Sequence, residues 1–271
     1  MADVMALFLK HAETLRSPDT AKFHAARSGR WLEGFRASQA REAVAAMIQD
    51  MAGAYEPATI NRTIGTIKKA LALAWDQGLT HDNHGLRIKR VQDNNTRDVT
   101  VTIDQVKAIA DEASQQVRAA IWIALYTGMR RGEILALRKA DIGQDALTVR
   151  AGNTKTLRTR TVPIVAPLRP WLACLPLTLN FEGLKTGFRR AREDAGLPHV
   201  TFHDLRRSCG TMMVQAGVDL YVVSKVLGHS SSAVTEKHYA HLKIDRMRDG
   251  LERTFTPAIA PARKRKAANG A

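Results

Sequence analysis

Through residues 1 to 88, apolar positions recur at helical spacing and no stretch alternates as a strand would. Val4, Leu7 and Phe8 mark one helix, and Val44, Met47, Ile48 and Met51 mark another that Ser38 is placed to cap. A further helix opens near Thr59 and carries Ile60, Ile64, Ile67, Leu71 and Trp75 as an apolar stripe, with Arg62, Lys68 and Lys69 on its other faces. From Thr80 to Asp98 the periodicity fades into HDNHGLRIKRVQDNNTRD, a polar and basic run containing Arg87, Lys89 and Arg90 that reads as an interdomain linker. Helical periodicity resumes at Thr102, where a threonine followed three residues later by Gln105 forms a capping-box pattern ahead of Val106, Ile109 and Ala110.

After Leu137 the period shortens to two. Leu147 and Val149 alternate with polar neighbours, Gly152 and Asn153 make a turn, and Val162 and Ile164 alternate again, which predicts a hairpin. A helix is expected around Phe188 to Ala195, and three short ones from Thr201 onward. The first of these has Thr201 as N-cap and Asp204 at the positive end of its dipole, with Leu205, Cys209, Met212 and Ala216 facing a core up to the stop at Gly217. Asp219 caps the second, which turns Leu220, Val223 and Leu227 inward and stops at Gly228; Ser230 to Ser232 offer caps for the third, which carries Tyr239. Ile244, Met247 and Leu251 then form a stripe on a C-terminal helix, and PAIAPARKRKAANGA closes the chain as a basic tail.

Composition narrows the function classes. A chain of 271 residues with 45% hydrophobic content can bury the core of one large domain or two modest ones. A formal charge of +15 favours a polyanionic partner, a property shared by ribosomal, chromatin and membrane-surface proteins. Two cysteines, Cys174 and Cys209, suit a reducing compartment without a disulfide framework. Neither an apolar run of ~20 residues nor the order of a signal peptide is present, so a cytoplasmic location is expected, with no membrane partner.

The candidate chemistry lies between Thr201 and His241. His203 and Arg206 are one helical turn apart, His229 follows the stop at Gly228, and Tyr239 comes shortly after, which together suggest an anion site with a nucleophile beside it. The words HDLR, LGH and YAH resemble the catalytic signature of the tyrosine recombinases, the phage-integrase family, at His203, Arg206, His229 and Tyr239; here the last two lie one residue further apart than is commonest in the family. ALYTGMRRGEIL resembles the family's first arginine box, which implies phosphate binding by Arg130 and a supporting acid at Glu133. TKTLRTRTVP resembles the hairpin whose lysine, Lys155, reaches into the active site, although the usual glycine after the lysine is missing. ATINRTIGTIKKALALAWDQGL resembles the last helices of the family's core-binding domain. DNA contacts are accordingly expected at Arg62, Lys68, Lys69, Arg87, Lys89 and Arg90, against the ordinary alternative of a solvated cationic face.

The resemblance implies a mainly α fold with a small β-hairpin in the catalytic domain (α+β), arranged as a two-domain DNA clamp. Its parts would be a helical core-binding domain over residues 1–88, a linker over 89–99, an integrase-type catalytic domain over 100–255 and a disordered basic tail over 256–271. It implies site-specific DNA recombination through a 3′-phosphotyrosyl intermediate on Tyr239, by a homotetramer on double-stranded DNA with a Holliday junction, in a bacterial or phage-encoded, nucleoid-associated protein that a directionality factor can accompany. No cofactor is implied. His238 and His241 lack the cysteines or carboxylates that would complete a zinc site, so no metal is expected. The alternatives are a type IB topoisomerase-like relaxing enzyme and a noncatalytic helix-turn-helix binder; the second has no reason to keep Tyr239, Lys155 and both arginines in catalytic order.

Overall fold

The structure, a computed structural model, describes residues 1–15, 17–93, 99–153 and 159–229. It divides into two compact units, Met1–Arg97 and the chain from Asp98 onward. Among its described residues the first unit contains four α-helices, α1 (Ala2–Ala12), α2 (Pro18–Leu32), α3 (Ala40–Met51) and α4 (Pro57–Asp76). Their stripes close one core of Val4, Met5, Phe8, Val44, Met47, Met51, Ile60, Ile64, Ile67 and Leu71.

Three details of this unit differ from the sequence reading, each for a local reason. Pro57 starts α4 two residues before Thr59, because a proline at the first helical position has its φ preset and its missing N–H was unpaired anyway. Ser38 does not cap α3: it sits in a 3₁₀ turn, Ala37–Gln39, where the Gln39 side chain accepts a bond from the Arg36 amide at 3.0 Å. The stripe of α4 leaves the core through Ala74, fully buried, while Trp75 stands 51% exposed one position outside the seam.

The basic stretch after α4 is better ordered by packing than its polarity suggests. Ile88 is buried in the core of the first unit, and Val91 packs against it. The Asn61 side chain donates to Val91 O and accepts from Val91 N, both at 2.9 Å, as a neighbouring strand would. Lys68 Nζ donates to Ile88 O at 2.7 Å. Residues 88–91 therefore lie along α4 and do not leave it as a free strap.

The second unit runs α5 (Ile103–Asp111), α6 (Gln115–Thr127), α7 (Arg131–Leu135), β1 (Ala146–Val149), β2 (Arg160–Pro163), α8 (Arg169–Leu172), α9 (Phe181–Asp194), α10 (Phe202–Gln215) and α11 (Leu220–Leu227). Thr102 and Gln105 form the expected box, with Gln105 N on Thr102 Oγ1 at 3.2 Å and Thr102 N on Gln105 Oε1 at 2.9 Å. α6 is buried on every side from Ala119 to Leu125, which is how a helix apolar all round satisfies its surface. α9 begins at Phe181, well before Phe188, because the Asn180 side chain caps it by accepting from Gly183 N at 2.7 Å. In α10 the Thr201 amide and hydroxyl donate to Asp204 Oδ2 at 2.7 and 2.8 Å. Leu205 and Cys209 turn inward, but Val214 completes the seam in place of Ala216, which is exposed past the helix end.

β1 and β2 pair antiparallel with Leu147 opposite Val162 and Val149 opposite Arg160. Leu147, Val149 and Val162 are buried, so the inward face of β2 carries Val162 and, two residues earlier, Arg160. Gly152 belongs to a 3₁₀ turn, Ala151–Asn153; Lys155 lies outside the described residues. Cys174 and Cys209 are both free thiols, and burial pushes Cys209 up to about 11.

α6 ends at Gly128, whose φ of +60° takes the chain out of the helix. A Cβ there would lie 2.4 Å from Leu227 Cδ2 and 3.4 Å from Cys209 Sγ, so backbone strain and overpacking act together. Gly128→Ala is expected to cost about 2–4 kcal/mol, measured as a lower urea midpoint by circular dichroism.

Candidate active site

Two helix-ending glycines and two arginines build the site. Gly128 stops α6, and the chain turns directly into α7, whose N-cap is Arg130. Gly228 stops α11 with φ +65°. Each glycine carbonyl accepts a guanidinium from elsewhere: Arg206 Nη1 donates to Gly128 O at 2.6 Å, and Arg130 Nη2 donates to Gly228 O at 3.3 Å. These bonds join α6, α7, α10 and the end of α11 around one point.

Glu133 stands at that point, only 2% exposed. Its carboxylate accepts four hydrogen bonds: from the Arg130 amide at 2.8 Å, from Arg130 Nη1 at 3.0 Å, and from Arg160 Nη1 and Nη2 at 3.1 and 2.8 Å. Burial alone would raise the carboxyl, but the Arg160 fork, the Arg130 amide and both guanidinium charges outweigh it and hold Glu133 below the usual carboxylate range. The buried charge is stable because it is fully bonded; a single partner would leave it costly. The two forks leave the cluster cationic around this one carboxylate. Arg130 spends two of its five donors on Glu133 and Gly228, and its side chain keeps 28% of its surface open.

His203 lies one turn before Arg206 on α10 and is solvent-exposed over much of its surface. Its imidazole is pushed down from the ordinary histidine value, first by partial desolvation, then by the charges of Arg206 and Arg207, with Asp204 opposing and Arg130 adding a smaller push. At neutral pH it is therefore an uncharged ring with one nitrogen able to accept a proton. His229 is half-buried directly after Gly228, and its amide closes α11 on Ser224 O at 3.0 Å.

Of the residues expected from the sequence, Arg130, Glu133 and Arg206 are joined through bonds around Gly128 and Gly228, with His203 one turn from Arg206 and His229 adjacent to Gly228. Lys155, Tyr239, the stripe at Ile244, Met247 and Leu251, and the basic tail lie outside the described residues. The sequence reading missed the structural part of Arg160. The strand period carried that signal, since an arginine two residues before a buried valine shares its face.

In the first unit Arg62, Lys69 and Arg90 line one cavity of about 870 Å³ between α2 and α4, together with His24. Burial, then Arg27 and Arg62, push His24 down, as expected where cations crowd. Arg87 and Lys89 line a separate hollow beside Arg41, and Lys68 is turned onto Ile88 O. Among the described residues no group of His, Cys, Asp and Glu is placed to hold a metal ion, and no helix is long and apolar enough to cross a membrane.

The family model of the phage integrase family matches residues 99–175 and 178–246, and the chain belongs to that family. It is 27% identical over 262 residues to tyrosine recombinase XerA of Pyrococcus furiosus, covering 88% of each chain. It is 30% identical over 156 residues to prophage integrase IntF of Escherichia coli (strain K12), covering 51% of this chain and spanning only a third, 33%, of that relative. In fold it is similar to lambda integrase, solved as a tetramer bound to a Holliday junction, with TM-score 0.68 and 18% identity over 85% of this chain and 77% of that one. The mainly helical fold with a single two-stranded antiparallel sheet among the described residues is the one expected for the family.

The electrostatics of His203 can be tested directly. Proton NMR of the imidazole ring should give a titration midpoint below the ordinary value of roughly 6.5. Arg207→Gln, which removes one of the charges that depress it, should move the midpoint upward; an unmoved midpoint would show that Arg207 does not act on the ring.

Proposed function

We propose that this protein is a site-specific DNA recombinase that cuts and rejoins DNA through a 3′-phosphotyrosyl intermediate on Tyr239. The observation that carries the reading is the pair of guanidinium forks, Arg130 and Arg206, braced on two glycine carbonyls with three donors of Arg130 left for an anion. A phosphodiester gains charge on its nonbridging oxygens as it is attacked, and braced forks stabilise that charge without reorganising. Glu133 orients Arg130. His203, uncharged at neutral pH, accepts the phenol proton as Tyr239 attacks, and His229 holds a phosphate oxygen. Lys155 protonates the departing 5′ oxygen. The phosphotyrosine keeps the energy of the broken bond, so a 5′ hydroxyl can rejoin without a cofactor.

In this reading residues 1–88 are a core-binding domain, 89–99 a linker, 100–255 the catalytic domain and 256–271 a basic tail. The partner is duplex DNA, with Arg62, Lys68, Lys69, Arg87, Lys89 and Arg90 supplying phosphate contacts and the protein acting as a tetramer in the cytoplasm. The charge of +15 supports a polyanionic partner, and the lambda integrase tetramer on a Holliday junction supports the tetramer. Lys68, already bonded to Ile88 O, contributes with its remaining donors.

Nicked duplexes with a randomised core, offered to the wild-type chain, should yield a subset linked covalently to protein on a denaturing gel. Tyr239→Phe should bind the same duplexes and form no adduct; a persistent adduct would place the nucleophile elsewhere. Lys155→Ala should slow cleavage ~10²- to 10⁴-fold, and a 5′ bridging sulfur, which leaves without a proton, should restore most of the rate. Arg130→Ala should gain nothing from that sulfur, so equal rescue of both variants would remove Lys155 from the general-acid role.

A further inference from the structure

The hairpin arginine Arg160 touches both anchors of Arg130. It enters from the inward face of β2, opposite Val149, with its side chain 13% exposed. Its two Nη atoms meet the two oxygens of Glu133 at 3.1 and 2.8 Å, and the same two oxygens hold the amide and Nη1 of Arg130. Gly228, whose carbonyl accepts Arg130 Nη2, packs directly on the Arg160 guanidinium: a Cβ on that glycine would lie 2.8 Å from Cζ and from Nε. A carboxylate bonded along one edge can still turn about its last torsion, whereas a bidentate fork on a second side fixes its plane.

We propose that Arg160 is a positioning residue of the strand-cleaving site: by fixing the plane of Glu133 and the seat of Gly228 it sets the direction in which Arg130 presents its remaining donors to the scissile phosphate. The proposal rests on the reading of Arg130 as a phosphate ligand. Arg160 does not act as a proton donor, since a guanidinium is not deprotonated in proteins and both its Nη atoms are bonded to Glu133. Lysine cannot replace it, because a point charge meets one carboxylate oxygen and leaves the plane held from the Arg130 edge alone. The missing side chain at residue 228 belongs to the same device, as any larger residue there displaces the fork.

The test is a double-mutant cycle with the full chain, read as single-turnover adduct formation on nicked duplexes selected by the wild type. Arg160→Lys, which keeps the charge and one bond to Glu133, should slow adduct formation ~10- to 100-fold at saturating protein, with DNA affinity unchanged within about twofold. Added to Arg130→Ala, the same substitution should cost less than about twofold more, because the residue acts through Arg130. A methylphosphonate at the scissile position, which removes the charge of one nonbridging oxygen, should shrink the deficits of Arg130→Ala and Arg160→Lys alike. Arg160→Met should behave as Arg160→Lys, and if it does not fold, the lysine variant carries the cycle. Additive losses, or relief of Arg130→Ala alone, would show that Arg160 does not work through Arg130 and overturn the proposal. A wild type that forms no adduct overturns the strand-cleavage reading together with it, whereas additive losses in an active wild type overturn the positioning role only.

Discussion

One buried carboxylate organises the candidate site. Glu133 brings three parts of the chain to a point: the α7 N-terminus through the Arg130 amide, the Arg130 side chain, and the hairpin through Arg160. A lone carboxylate at this depth would carry a desolvation penalty of several kcal/mol, and four charge-assisted or backbone bonds are what make the position tenable. The consequence is orientation. Arg130 caps a helix of only five residues, and the carboxylate supplies a fixed edge from which its remaining donors point.

The two glycine stops set the geometry that Glu133 then locks. Because α6 ends at Gly128 and α11 at Gly228, each helix exposes a carbonyl that its own ladder no longer uses, and each carbonyl receives a guanidinium. The same glycines allow close approach: Leu227 and Cys209 pack on Gly128, and the Arg160 fork packs on Gly228. Helix termination, arginine placement and tight packing are therefore satisfied by the same two residues. His203, one turn before Arg206, is pushed below the ordinary histidine value first by partial burial and then by the positive charge gathered there.

Much of the fold was legible in the sequence because periodicity and capping are local. The stripes of α1, α3 and α4, the Thr102–Gln105 box, the stop at Gly228, and the alternation of Leu147, Val149 and Val162 each arise from neighbours a few residues apart. Where local signals competed, the reading slipped: Ser38 lost the cap of α3 to a 3₁₀ turn, Trp75 lost its place in the seam to Ala74, and Val214 replaced Ala216. In the polar run after α4, side-chain pairing by Asn61 holds Val91, a contact across thirty residues of chain that composition does not reveal.

For the site, the order and wording of Arg130, Glu133, His203, Arg206 and His229 were enough to identify the family, because motif spacing is written in the chain. Which partner each one has was decided by tertiary structure. The bond from Arg206 to Gly128 closes over a separation of 78 residues, and that from Arg130 to Gly228 over 98. The strand period alone could place Arg160 on the inward face, but only the docking of the hairpin against α7 puts its fork on Glu133. Local sequence determines which face a side chain takes; what lies opposite that face depends on how distant elements pack, and hydrogen bonds of this geometry exist only once they have.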